Sequence, residues 1–310
     1  MALPNCIIGG TSRAGSTSLF RYLTAHPQVC GSSIKETNFF ILHLNSLEED
    51  LDVYESYFSH CSSRATIRLE ATPHYLQWGE KIAHPMSRIL PNVKLIFILR
   101  EPIERFVSIY RVMKHSDYKK FGRMSFSELV EFFLEEYHRA ESSGELTPKD
   151  WVRSGYYATF LSEYFKYFPK KKICVLFFDH LKKDPYAFVC KATDFLGIDT
   201  QFYDAYRFTL ENRSRIPRVV ALRYIAAKVN QRLEKFFNFH PNVKKCLRYV
   251  YCSLNEDKNA EILIQDETKQ TLAEFYAPYN KELFHLLQRY GRCDSIPDWI
   301  LSAGSTVGAP

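Results

Sequence analysis

Apolar residues along this chain gather into four short runs set between turn-forming and polar stretches. Residues 5–8, 67–70, 93–99 and 173–178 are too short for buried helices and read as strands covered on both faces. Helical spacing fills the intervals. Residues 16–25 directly follow the first run. Ser125 with Glu128 forms a capping box, and it opens a stretch that sets Phe126, Leu129, Val130, Phe133, Leu134 and Tyr137 on one face. Helical segments at 157–168 and 187–196 flank the fourth run. This alternation predicts an α/β fold, a mainly parallel sheet flanked by helices.

The last third breaks the pattern. Residues 207–248 hold eleven Lys/Arg against two Glu, and Leu222, Ile225, Ala226, Val229, Leu233 and Phe236 keep helical spacing. No Gly/Pro/Ser linker precedes them, so a helical C-terminal subdomain or lid is expected rather than a second domain. The expected layout is one domain over 1–310. It comprises a parallel-sheet core at 1–205, a mainly helical lid or acceptor region at 206–300 and a flexible tail at 302–310.

Composition narrows the class. With 310 residues, 46% apolar and 25% charged, the chain can bury a sizeable core. Aromatic residues at 15% exclude a disordered chain. The net charge of +6 is too weak for a dedicated nucleic-acid binder but suits an anionic ligand. No run reaches the roughly 18–20 apolar residues of a membrane span, and the opening MALPNCIIGG does not read as a signal peptide. The eight cysteines form no C-x-x-C, and Cys6, Cys174 and Cys190 lie in apolar runs. Buried, reduced thiols and a cytoplasmic location are therefore expected, although a chain trimmed of a leader would look the same.

Two segments carry chemistry. Gly9 to Ser18 joins a strand to a helix, and from Gly10 it reads G-x-x-x-x-G-S-T. That is phosphate-loop spacing with Ser16 in place of the usual lysine, which argues against triphosphate chemistry. Arg13 supplies a cation two residues before Gly15. A Gly/Ser-rich turn without a ligand is the alternative. The second segment is a strand ending in Arg100, followed by Pro102 at a helix start, with Ser108 about two turns further on. Arg and Ser could close on one phosphate, or Arg100 could merely pair with Glu101 or Glu104. Asp179, at the end of the fourth run, reads as an N-cap and turn rather than a metal ligand.

Together these segments resemble the sulfotransferase family that uses 3′-phosphoadenosine-5′-phosphosulfate (PAPS). Arg13 to Leu19 is similar to that family's 5′-phosphosulfate loop, and Leu99 to Ser108 to its 3′-phosphate motif. Further marks follow in family order. Ser33 to Phe40 and Glu70 to Tyr75 resemble segments of the heparan-sulfate-type and bacterial branches. Gly155 to Tyr157, Asp184-Pro185, Phe195 to Gly197, Asn212 to Arg218, and Tyr276 with Asn280 and Leu283 complete the set. The resemblance implies a P-loop-like sheet and a transferase with PAPS as co-substrate and PAP, its desulfated form, as product. It assigns Arg13, Ala14, Gly15, Ser16, Thr17 and Ser18 to the 5′-phosphosulfate, and Arg100 and Ser108 to the 3′-phosphate. Arg215 and Arg218 belong to a loop over the nucleotide, and Glu36 is the general base. Two departures stand out. Arg13 replaces a lysine common in the family, and Ala71 replaces the lysine of heparan-sulfate-type enzymes, which weakens any transfer of their polysaccharide specificity.

In-line sulfuryl transfer needs a base at the acceptor hydroxyl and a cation at the departing phosphate. Glu36 and Arg13 fit those two places, and no metal cluster is evident in the sequence. Glu36 could instead be an exposed carboxylate paired with Lys35. His74 is a rival base or a satisfied turn histidine, and Tyr156 and Tyr157 could line an acceptor pocket or pack a helix start. The expected acceptor is a glycan, lipid or small natural product. The competing readings are a kinase with a degraded phosphate loop and a non-catalytic nucleotide-binding relative.

Overall fold

A computed structural model describes residues 2–116, 118–145, 151–209, 264–290 and 295–305, with part of the stretch 216–257. Five strands form one parallel sheet: β1 Cys6–Gly10, β2 Val29–Gly31, β3 Ile67–Ala71, β4 Lys94–Leu99 and β5 Ile173–Phe177, in the order β2-β3-β1-β4-β5. The four expected strands are present, with ends shifted by at most two residues. β2 is new. Its three residues are too few to show any period, and it becomes a strand only by pairing with β3.

Side chains alternate across the sheet as strand geometry dictates. Leu95, Phe97 and Leu99 of β4 face one apolar cluster, while Ile96 and Ile98 face the other. The first cluster is covered by α4 (Glu80–Ile89), α5 (Pro102–Ser116) and α8 (Tyr157–Tyr167), and the second by α1 (Ser16–Thr24) and α10 (Pro185–Leu196). Two short helices, α2 (Phe39–Leu42) and α3 (Leu51–Ser56), lie between β2 and β3, and α6 (Tyr118–Phe121) precedes α7 (Phe126–Ser143). The Ser125 capping box forms in full, and Phe126, Leu129, Val130 and Tyr137 are buried beneath α7.

α9 (Phe178–Lys183) corrects the expectation for Asp179. This residue sits inside the first turn of α9 and accepts from Trp299 Nε1 at 3.3 Å, while the capping carboxylate is Asp184, which accepts from the Ala187 N–H at 3.0 Å. Pro185 at the first helical position favours the later start. The C-terminal helices α11 (Asp266–Tyr290) and α12 (Asp298–Ser305) are not a detached layer. Leu272, Tyr276, Leu283 and Leu287 of α11 join the first cluster, and the Tyr276 hydroxyl donates to the Val152 carbonyl at 2.9 Å. Gly155 is required there, because a Cβ would lie 2.7 Å from the Tyr276 ring. Of the basic stretch, Leu222, Ala226 and Val229 are helical, whereas Ile225 and Phe236 lie outside the described residues.

Cys6, Cys174 and Cys190 form no disulfide, as expected, but only Cys6 is buried, while Cys174 and Cys190 are half-buried. Cys30 and Cys61 form a disulfide with Cα atoms 5.7 Å apart, which the irregular cysteine spacing did not reveal.

Candidate active site

From β1 the chain runs to the edge strand β2 and back through β3 on one side, then crosses to β4 on the other, so the switch point lies between β1 and β4. In open α/β sheets ligands gather beyond the strand ends at such a point. Both phosphate-type segments begin there. The β1/β4 register slips between Ile8 and Gly10, which turns the chain sharply into the loop. Gly15 ends the loop at φ +92°, and a Cβ on it would stand 2.5 Å from Leu181 Cδ2, so this position needs glycine twice over. Gly15, the residue at the N-terminus of α1, has no side chain to cap it, and the positive end of the helix dipole faces the loop. Ser12 Oγ is buried without a hydrogen-bond partner among the described residues. The Ala14 side chain is fully buried, so only its backbone can serve a ligand.

Arg13 and Arg100 come together. Arg100 Nη1 donates to the Arg13 carbonyl at 3.0 Å, and Arg13 Nε donates to Ser108 Oγ at 3.0 Å. The two segments therefore touch, and the Arg13 side chain spans from the first to the serine of the second. Arg100 stacks on Phe178, 4.4 Å from its ring centroid, and its Nη2 lies 3.3 Å from Glu104 Oε2. Of the two acids considered as partners of Arg100, Glu104 pairs with it. Glu101 instead accepts the N–H groups of Ile103 and Glu104 at the start of α5. Lys182 adds a third cation, with Nζ 3.1 Å from both Glu104 oxygens. Burial lowers the pKa of both guanidinium groups. The Arg100 charge lowers that of Arg13 further, opposed by Glu36, and Glu104 opposes the shift of Arg100. Crowded cations of this kind favour an anion between them.

Glu36 lies beyond the end of β2, in a turn tied to the sheet by its own N–H, which donates to the Ala71 carbonyl at 3.0 Å. Its carboxylate accepts from Lys35 Nζ at 2.5 Å and keeps 42% side-chain exposure. The Lys35 pairing therefore exists, and the Glu36 charge raises the pKa of both Arg13 and His74 against the effect of burial. Arg13 and Glu36 both adopt positive φ, +68° and +65°. Such conformations are costly for residues with a Cβ and cluster where function fixes them.

His74 is half-buried, and burial holds its pKa below the ordinary value, helped by Lys35 and Arg105 and opposed by Glu36. It is thus neutral near pH 7. Because the unfolded chain takes up this proton first, the stability tied to His74 is complete above about pH 6.5 and declines below it. His74→Gln is expected to narrow the difference between urea midpoints at pH 7.5 and 5.5; an unchanged difference would count against a desolvated imidazole.

Tyr156 and Tyr157 are packing and positioning groups. Tyr156 stacks on Tyr279 at 3.5 Å between centroids, and the Tyr157 hydroxyl donates to the Arg100 carbonyl at 2.7 Å. Arg215 and Arg218 lie outside the described residues. Sequence reasoning missed Phe178, Lys182 and the bridging role of Glu104, because all three act through contacts across the chain. The group Cys30, His60 and Cys61 brings potential metal ligands within 4.8 Å, but its two sulfurs are bonded to each other.

A sheet switch point with a glycine-bearing strand–helix loop after one strand and Arg100 after the next lies where open α/β sheets commonly seat their ligands. Comparison with known families makes this specific: residues 3–238 match the sulfotransferase domain model, and the chain belongs to that family. It is 23% identical over 305 residues to the human bifunctional heparan sulfate N-deacetylase/N-sulfotransferase 3, covering 96% of this chain and 31% of that protein. To the mouse heparan sulfate glucosamine 3-O-sulfotransferase 3B1 it is 24% identical over 293 residues, covering 93% of this chain and 64% of the relative. The chain thus spans less than two thirds of the length of either relative, 31% of one and 64% of the other. The sulfotransferase structure from Alicyclobacillus acidocaldarius shares the fold at a TM-score of 0.64 and 20% identity, covering 96% of this chain and 99% of that one. Among the described residues, no helix is long and apolar enough to cross a membrane.

Proposed function

We propose that this protein transfers a sulfuryl group from PAPS to an acceptor hydroxyl. The observation that carries the reading is the contact of Arg13 with Ser108 and of Arg100 with the Arg13 backbone, which joins two anion-binding segments at one end of the sheet. The donors suit a ligand with two phosphate-type ends. The loop 11–15 and the start of α1 take the 5′-phosphosulfate, with Gly15, Ser16, Thr17 and Ser18 supplying backbone and hydroxyl donors. Arg100 and Ser108 take the 3′-phosphate, and Arg215 and Arg218, by the family resemblance, are further contacts to the nucleotide. Arg13 stands between the two ends and offsets the charge that grows on the departing phosphate.

Glu36, paired with Lys35, takes the proton from the attacking hydroxyl. His74, whose pKa burial lowers, can take the proton onward. The acceptor belongs to the glycan, lipid or small natural-product hydroxyls. The heparan-sulfate relatives favour a glycan, while Ala71 separates this chain from their lysine-bearing segment.

The Cys30–Cys61 bond supports maturation in an oxidising compartment, in place of the cytoplasm that the other thiols had suggested. Calorimetry with PAP, ATP and Mg²⁺-ATP tests the nucleotide. PAP should bind at least about tenfold more tightly, a margin of ~1.4 kcal/mol. Tighter binding of ATP would return the kinase reading. Transfer of labelled sulfate from PAPS across acceptor classes then separates an enzyme from a binding relative.

A further inference from the structure

Glu70, the fourth residue of β3, is fully buried, and its carboxylate has no cationic partner among the described residues. Isolated burial of a carboxylate costs several kcal/mol unless hydrogen bonds compensate it. Here hydroxyls do so. Thr37 Oγ1 donates to Oε1 at 2.7 Å, Thr72 Oγ1 donates to the same oxygen at 2.5 Å, and the Tyr54 hydroxyl donates to Oε2. Burial raises the Glu70 pKa, and the hydroxyls of Thr72, Tyr54 and Thr37 oppose that shift.

What these hydroxyls hold is the Glu36 turn. Thr37 follows Glu36 directly, and its Oγ1 also accepts from the Phe39 N–H at 3.3 Å. Thr72 Oγ1 accepts from the Asn38 N–H at 3.2 Å, and Asn38 Nδ2 donates to the Glu36 carbonyl at 2.8 Å. Glu36 and Asn38 both sit at positive φ, +65° and +53°, a backbone path these residue types rarely take unaided. The turn is thus bound to the end of β3 through hydroxyls that converge on one acid. A mere strand end would not need a buried carboxylate.

We infer that Glu70 is a positioning residue: through Thr37 and Thr72 it sets the turn that aims the Glu36 carboxylate at the acceptor hydroxyl. The inference rests on the base role of Glu36. Thr37→Val keeps the branched shape and removes the link between Glu70 and the turn. It is expected to lower kcat by about tenfold to a hundredfold, the scale of a small misplacement of a reacting group. KM for PAPS and the affinity for PAP should stay within about twofold, because the nucleotide segments are untouched.

Glu70→Gln should retain most of the activity, within about fivefold. One amide oxygen can still accept from both threonines, and the NH₂ can donate to Tyr54. The decisive measurement is single-turnover transfer of labelled sulfate in the Glu36→Gln background. There Thr37→Val should change the residual rate by less than about twofold, since nothing remains to aim. Equal losses from Thr37→Val in both backgrounds would show a general structural effect and overturn the inference, as would an unchanged kcat in Thr37→Val alone. A Glu36→Gln enzyme with full turnover would instead remove the base role itself, which keeps the two failures apart.

Discussion

Replacement of Glu36 by glutamine is expected to lower kcat about 10³-fold while PAP binds as before. General-base assistance contributes roughly 10²–10⁴-fold, and glutamine keeps the size of the side chain while losing the lone pair that accepts the proton. Glu36 keeps 42% of its side chain exposed and packs against Lys35 rather than the core, so the exchange should leave thermal stability almost unchanged. Single-turnover sulfate transfer measures the effect, and PAP calorimetry shows that the nucleotide side is intact. His74→Gln provides the comparison. A larger loss there than in Glu36→Gln would exchange the two assignments, since the neutral imidazole is also competent to accept a proton near pH 7.

The joint exchange of Arg100 and Ser108 for alanine should weaken PAP binding by at least about a hundredfold. Truncating one side of a buried, charged hydrogen-bonded pair costs about 2–5 kcal/mol, and a dianionic phosphate would lose both donors. Adenosine 5′-phosphosulfate, which lacks the 3′-phosphate, should lose less than about threefold, since only shared contacts remain for it. Loss of Arg100 does not strand Glu104, because Lys182 stays 3.1 Å from both of its oxygens. The protein should therefore still fold, with a melting temperature close to the parent's. Undiminished PAP binding by the double variant would remove the 3′-phosphate from Arg100 and Ser108 and reopen the choice of nucleotide.

Much of this architecture could be read from local order. Four strands were visible because buried parallel strands are continuous apolar runs, and the Ser125–Glu128 cap because its chemistry lies within one helical turn. The loop ending at Gly15 and the strand ending at Arg100 were visible for the same reason, since local sequence encodes each, but Ser108 bonds to Arg13 rather than to Arg100. What escaped depends on pairing across the chain. β2 exists through β3, the Arg13–Ser108 bond joins residues 95 apart, and Glu70 meets Thr37 across 33 residues. No periodicity announces such contacts. Tyr157 illustrates the limit. Its ring is ordinary helix packing, yet its hydroxyl fixes the carbonyl of Arg100, a role no local pattern separates from simple burial.

The Cys30–Cys61 bridge bounds a segment whose cysteines stand 31 residues apart, and the Lys35–Glu36 turn, α2 and α3 all lie inside it. Closing a loop of that size removes chain entropy from the denatured state worth about 3–4 kcal/mol. β2 is an edge strand only three residues long, so this tether fastens a short margin of the sheet next to the turn that carries Glu36, the proposed proton acceptor. Protein recovered from a thiol-reducing host would carry the same side chains on a looser rim. Its turnover would then reflect its redox history as well as its sequence.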